Sequence, residues 1–209
     1  RICSRYKKHP GMIMSFKGMI PVIHPSSYVH PTAVVIGHVT IGEDSYIGPG
    51  AVLRGDWGKV VIGNGCNVQE NCVLHMFPGK SVVLKDGAHV GHGAIIHGAE
   101  LGEQVLVGMN SVIMDDVVLG DGSFVGALSL VPANTEFAER SLIVGNPARR
   151  IKEVSDKMYN HKVEGTELYR KLPSNMHLMS QEVEPLSEIP ENRIEDFPDF
   201  DTWMKRKEG

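Results

Sequence analysis

The chain has 209 residues, with 21 Lys and Arg against 25 Asp and Glu, a formal net charge of −4. That length holds one domain with a sizeable core, or one domain with an appendage. The mild acidity argues against a nucleic-acid binder or an anionic-membrane surface, both of which need basic patches. Aromatic residues make up 6% of the chain, while 23 Gly amount to about 11%, against a usual ~7%. This balance suits a narrow core with many tight turns better than a broad sandwich. Cys3, Cys66 and Cys72 cannot all pair internally and form no secreted disulfide framework. No apolar run approaches the ~18 residues of a membrane helix.

In chain order, residues 1–17 read as an N-terminal extension. The basic start, Arg-Ile-Cys-Ser-Arg-Tyr-Lys-Lys, lacks the apolar stretch of a secretory signal, and Met12 or Met14 is a candidate natural start. The expected location is the cytoplasm.

Residues 18–150 carry a repeat. Aliphatic residues recur every six positions at Ile23, Val29, Val35, Ile41, Ile47 and Leu53, then at Ile62, Val68, Leu74, then at Leu84, Val90, Ile96. The series closes with Leu101, Val107, Ile113, Leu119, Val125 and Val131. Gly follows the aliphatic site at Gly42, Gly48, Gly63, Gly91, Gly102, Gly108, Gly120 and Gly126, where it is expected to supply the positive φ of a corner. A small residue stands four positions after the site, as at Ser45, Ala51, Cys66, Cys72 and Ala88, so the two cysteines read as core filler. A helical period of 3.6 cannot produce this spacing. The pattern predicts an all-β protein, a left-handed parallel β-helix shaped as a triangular prism with three walls, about 18 residues per coil and about six coils.

The register breaks at 54–61 (three extra residues), at 75–83 (four extra) and between Ile96 and Leu101 (one short). Extra residues in a solenoid are pushed out as loops, often on the binding side. After Val131 the pattern is expected to end, with Pro132 and Pro147 bounding an irregular stretch. Residues 151–172 hold a C-terminal helix, read over about 152–172, with Ser155 as N-cap and Val154, Met158, Leu168, Tyr169 and Leu172 as apolar anchors. Gly165 is its weak point. Residues 173–209 form an acidic tail, with a short helix expected near 192–195, packing on the prism or a partner or partly disordered.

Of ten histidines, His75, His92 and His97 are singled out by register. His75 and His97 each follow an aliphatic site and lie 97 − 75 = 22 residues apart; removing the four-residue loop leaves one coil of 18. They therefore share one corner on adjacent coils, ~4.8 Å apart at the backbone. Arg54 falls at the same corner one coil earlier. His92 sits at another corner and cannot join the pair within one chain. Prisms packed around a threefold axis would bring His92 of one copy to the His75 and His97 pair of the next, giving a homotrimer with three interfacial sites. Three imidazoles with an open fourth position are the catalytic kind of zinc site, which lowers the pKa of bound water to about 7. Gln69 could orient that water, Asn67 could hold Gln69, and Arg54 with Asp56 could pair across the subunit contact.

The segments Arg54-Gly55-Asp56, Asn67-Val68-Gln69-Glu70-Asn71-Cys72-Val73-Leu74-His75 and Gly91-His92-Gly93-Ala94-Ile95-Ile96-His97-Gly98 resemble the γ-class carbonic anhydrase family of left-handed β-helix trimers. Within it, Glu164-Gly165-Thr166 before Tyr169, Glu184-Pro185-Leu186 and Glu191-Asn192-Arg193 look most like the PaaY and CaiE branch. The resemblance implies Zn2+, or Fe2+ or Co2+, held by His75 and His97 of one subunit and His92 of the next. It also implies Gln69 near the bound water, Arg54 and Asp56 at the subunit contact, and Tyr169 as an active-site tyrosine. Two departures stand out: Trp57 occupies a position that is acidic in the prototypical enzymes, and residues 76–80 (Met-Phe-Pro-Gly-Lys) lack their acidic loop.

The first expected activity is hydration of CO2 to bicarbonate by a metal-dependent lyase. The alternatives are an acyl-CoA thioesterase using the same centre, a hexapeptide-type acyltransferase with a histidine general base, and a catalytically silent assembly module. None of these needs nucleic acid or a membrane.

Overall fold

A computed structural model describes residues 11–201. The aliphatic series faces inward, and each site stacks on its counterpart one coil away, so the walls are columns of short parallel strands. The first wall carries Val29, Ile47, Val68, Val90, Val107, Val125 and Ile143. The second carries Ile13, Val35, Leu53, Leu74, Ile96, Ile113 and Val131. The third carries Ile23, Ile41, Ile62, Leu84, Leu101, Leu119 and Phe137. This is the expected left-handed parallel β-helix, the hexapeptide-repeat architecture.

It has about seven turns rather than six, because both ends reach further than the aliphatic count. Met12–Met14, in the segment read as an extension, pairs with Val34, Val35 and Ile36 and opens the second wall. At the other end the six-residue step continues past Val131 through Phe137 and Ile143. An aromatic residue at the inward site, preceded by exposed Glu136, hides that step from a search for aliphatic residues. The stretch around Pro147 is a hairpin rather than irregular chain: Ala148–Glu153 runs antiparallel to Ser141–Gly145.

Corner chemistry also differs from expectation. Where glycine follows the aliphatic site it is not the left-handed residue; that residue comes two positions later, as at Asp44, Gly65, Gly93 and Asn110. What the first glycine supplies is clearance between coils. A Cβ on Gly120 would lie 2.4 Å from the backbone nitrogen of Glu139 one coil on, closer than real Cβ atoms come. Cys66 and Cys72 are buried free thiols, as the small inward positions predicted, and Cys3 lies outside the described residues. Burial pushes the Cys66 thiol up to about 12 and Cys72 to about 11.

Helix α1 spans Asp156–Met179, with Ser155 capping it by accepting from the Met158 amide at 3.3 Å. Neither Gly165 nor Pro173 ends it, so it is longer than the reading over 152–172. It stands along the prism, from Tyr159 near Gly122 to His177, whose Nε2 lies 3.0 Å from the Ser27 carbonyl oxygen. Of the expected apolar anchors, Val154 is buried just before the helix and Met158, Leu168, Tyr169 and Leu172 are half-buried; the helix's own buried residues are Lys162, Thr166 and Pro173, so polar contacts join the apolar ones. Lys162 Nζ donates to the Gly87 carbonyl and, at 2.7 Å, to Gln104 Oε1, and Thr166 Oγ1 lies 3.2 Å from that same oxygen. Residues 180–201 form no helix, including at 192–195, and Phe200 returns to stack on His161 at 4.7 Å.

Burial lowers the Lys162 pKa to about 7. In the unfolded chain the amine keeps its proton to ~10.4, so stability is withheld below pH 7 and gained as pH rises through that window. Denaturation of the wild type and of Lys162→Met at pH 7 and pH 10 should show the difference moving towards the wild type by roughly 3 kcal/mol. A difference independent of pH would contradict this placement of the amine.

Candidate functional site

The second wall ends in the corner that the histidine register singled out. His97 and His75 are direct Cα partners on adjacent strands, with ring centroids 5.4 Å apart. Arg54 follows Leu53 on the preceding coil, and its Nη2 lies 2.6 Å from His75 Nε2. Asp56 Oδ1 lies 3.1 Å from the same nitrogen. Arg54 Nε approaches Asp56 Oδ2 at 3.5 Å as an ion pair without a hydrogen bond, so these two pair within the chain. Burial first, and then the Arg54 guanidinium, hold the His75 pKa below its ordinary value; its neutral ring accepts from Arg54 through Nε2. His97 Nδ1 lies 2.8 Å from Asp115 Oδ1. Trp57 and Phe77 pack on His75 and His97 with centroid distances of 5.4 and 5.1 Å. Aromatic rings thus stand where the resemblance led one to look for carboxylates.

The corner that opens the second wall carries the other candidates. His92 is half exposed, and its Nδ1 lies 2.5 Å from Glu70 Oε2. Gln69 Nε2 donates to Asn67 Oδ1 at 2.9 Å, both residues being buried. Tyr169 on α1 reaches this corner: its hydroxyl interacts with Gln69, and its ring lies 5.2 Å from His89. Burial, then Glu70, raise the Tyr169 pKa above the usual phenol value. Asn67 Nδ2 and His89 Nε2 are buried without a hydrogen-bond partner.

The candidates therefore fall into two groups. Arg54, Asp56, His75 and His97 lie at one end of the second wall; Asn67, Gln69, His92 and Tyr169 lie at the other. Among the described residues, no three His, Cys, Asp or Glu side chains of one chain could hold a metal together. Chemically, the donors fit a divalent ion shared between copies. His97 and His92 each have Nδ1 engaged by a carboxylate, which fixes the ring and leaves Nε2 as the outward lone pair, the arrangement metal-ligating histidines adopt. His75 Nε2 already faces a cationic group, the Arg54 guanidinium.

Sequence reasoning missed Glu70 and Asp115, although the register holds the signal. Asp115 lies 115 − 97 = 18 residues after His97, and Glu70 lies 92 − 70 = 22 before His92, one coil plus the four-residue loop.

The repeats, the coil register and the inward aliphatic columns define the class, a hexapeptide-repeat β-helix protein. The profile of the family described as bacterial transferase hexapeptide (six repeats) matches residues 20–55 and 98–133, leaving out the segment with the two loops. The chain belongs to the family of the carnitine operon protein CaiE. It is 44% identical to that protein of Escherichia coli K12 over 86% of this chain and 91% of the relative. Among solved structures, it resembles a hexapeptide transferase family protein from Anaplasma phagocytophilum, with TM-score 0.76, 30% identity and coverage of 78% and 97% of the two chains. A Bacillus cereus protein that carries an acetyltransferase designation superposes with TM-score 0.79 at 31% identity, covering 81% and 98%.

With Asp115 accepting from Nδ1, His97 should populate the Nδ1–H tautomer. Imidazole 15N spectra of metal-free protein should show Asp115→Ala shifting His97 towards the Nε2–H form. An unchanged tautomer would show that the carboxylate does not set the ring.

Proposed function

We propose that three copies assemble through their second walls and that each interface holds a divalent metal between His75 and His97 of one copy and His92 of the next. The outward residues support the assembly. The first wall is covered by α1, and the third presents Thr40, Glu100 and Glu136 among its aliphatic residues. The second presents Val52, Val73, Ile95, Val112 and Leu130, an unbroken aliphatic stripe with Val73 and Ile95 about one-third exposed. A stripe of this kind calls for another apolar surface. Two corners flank it, so copies packed on it around a threefold axis bring the end corner of one to the start corner of the next.

The reaction we assign is hydration of CO2, with hydrolysis of a thioester carbonyl as the related chemistry of the same centre. The observation that supports this reading is that His97 and His92 each have Nδ1 held by a carboxylate, which leaves Nε2 as the outward lone pair, with the His75 ring 5.4 Å from His97 on the adjacent coil. A zinc-like ion, when bound, supplies Lewis acidity and makes a hydroxide nucleophile available near neutral pH. Gln69, fixed by Asn67, presents an amide that orients a small polar reactant, and Tyr169 buttresses that amide. Arg54 offers a guanidinium to an anionic product such as bicarbonate. Trp57 and Phe77 narrow access of water to the rings.

A second reading is acyl transfer with a neutral histidine as general base and no metal. The names carried by the two solved relatives and by the family profile favour it. His75, neutral and largely buried, has the character of such a base.

Elemental analysis of purified protein, with assays of CO2 hydration, thioester hydrolysis and acyl transfer, separates the readings. About one zinc, iron or cobalt per chain is expected, with His75→Ala, His92→Ala and His97→Ala each losing the ion and the activity. Metal-free protein with full acyl-transfer activity would establish the second reading. Ile95→Glu should give a monomer by analytical ultracentrifugation and weaken metal binding at least tenfold. A metal-binding monomer would sink the interfacial site.

A further inference from the structure

The two register breaks meet on one side of the prism. The excess residues of 54–61 and 75–83, with the 16–19 turn, wall a depression of about 330 Å3 lined by Met19, His38, Asp56, Trp57, Lys59 and Lys80, among others. Lys59 and Ser81 start strand segments of the third wall, so the depression lies on that side of the corner. Its connection to the reactive corner is Asp56, which borders it and also touches His75.

Volume separates it from the needs of the smallest substrate. CO2 is a three-atom molecule comparable with water, whose share of liquid volume is ~30 Å3. It would leave the depression almost empty, whereas pockets for organic ligands begin near ~300 Å3. The polar groups define which organic ligand fits. Asp56 is engaged by Arg54 and His75, and Lys80 is engaged by Asp116 at 2.8 Å. Among the described residues, Lys59 and His38 make no side-chain hydrogen bond or ion pair, and both are exposed. Trp57, half exposed, offers a flat apolar face beside them. The uncommitted ammonium of Lys59 favours an anion and repels a cation, and the indole beside it offers a flat face for an organic group, so together they suit a flat organic acid.

We infer that this depression is a subsite for a carboxylate-bearing arm of the substrate, seated against Trp57 with its charge at Lys59 and His38, while its reactive carbonyl faces the His75 corner. The inference rests on the metal-centre reading for the reaction but not for the binding. It names the substrate class as an anionic acyl compound rather than CO2 alone.

The test uses binding to metal-free protein first. In a Trp203→Phe background, Trp57 fluorescence should be quenched saturably by benzoate and at least tenfold less tightly by its uncharged counterpart benzamide. Lys59→Gln and Lys59→Glu, at an exposed position that leaves circular dichroism unchanged, should abolish that preference. Equal binding of the two ligands, or an unaltered preference in both variants, would overturn the subsite. With the metal-loaded protein, the ratio of KM values for a carboxylated thioester and its neutral analogue should rise at least tenfold in Lys59→Glu. An unchanged ratio would remove the subsite from the reaction. Loss of all metal-dependent turnover with benzoate selectivity intact would fail the function reading and leave the subsite standing.

Discussion

Everything in this structure depends on the core being one aliphatic side chain wide per wall. Eighteen residues close a coil when three inward sites meet at the centre, and the next coil then lies one strand spacing away, ~4.8 Å. That closeness makes glycine necessary after many of the aliphatic sites of the first and third walls, because a Cβ there strikes the backbone of the following coil, as at Gly108 and Gly120. It also turns a sequence position into an address. A residue at a given offset stands directly over the residue with the same offset one coil back, so Arg54, His75 and His97 form a column although 43 positions separate the first from the last (97 − 54).

A core this narrow cannot absorb an inserted residue. The three extra residues of 54–61 and the four of 75–83 leave through the corner after the second wall, while the inward sites on either side stay in register. Polar and aromatic groups accumulate where the chain is released from the repeat: Asp56, Trp57 and Phe77 around the histidines, Lys59 and Lys80 around the depression. The family profile covers the coils before and after but not the region between. Departure from the repeat thus marks the candidate site.

The sequence made the repeat, the wall identities and the column of Arg54, His75 and His97 legible, because each follows from counting. Phe137 and Ile13 escaped because a search for runs of Ile, Leu and Val stops at a lone aromatic residue and at an interrupted first coil. The polar attachment of α1 was hidden for another reason. Lys162 and Thr166 bind Gly87 and Gln104, which sit at corners whose outward partners no periodicity within the helix reveals. Apolar anchors are what an amphipathic reading looks for, and here an amine and a hydroxyl are buried beside them. The carboxylates behind His92 and His97 stand one coil from their histidines, the same offset that pairs His75 with His97, so their positions too follow from counting.

Those carboxylates bear on the choice between the proposed chemistries. A general base needs one imidazole with a free lone pair. It makes no use of a second ring 5.4 Å away held by its own aspartate, nor of a third held by a glutamate at the opposite end of the wall. A shared cation uses all three. Arg54 does not discriminate between them: with Nη2 2.6 Å from His75 Nε2, it occupies that lone pair for either role. Displacing a guanidinium from between a neutral imidazole and Asp56 leaves a carboxylate without its partner. In either chemistry the guanidinium of Arg54 has to leave His75 Nε2, so the charge left on Asp56 is a cost that both proposed reactions share.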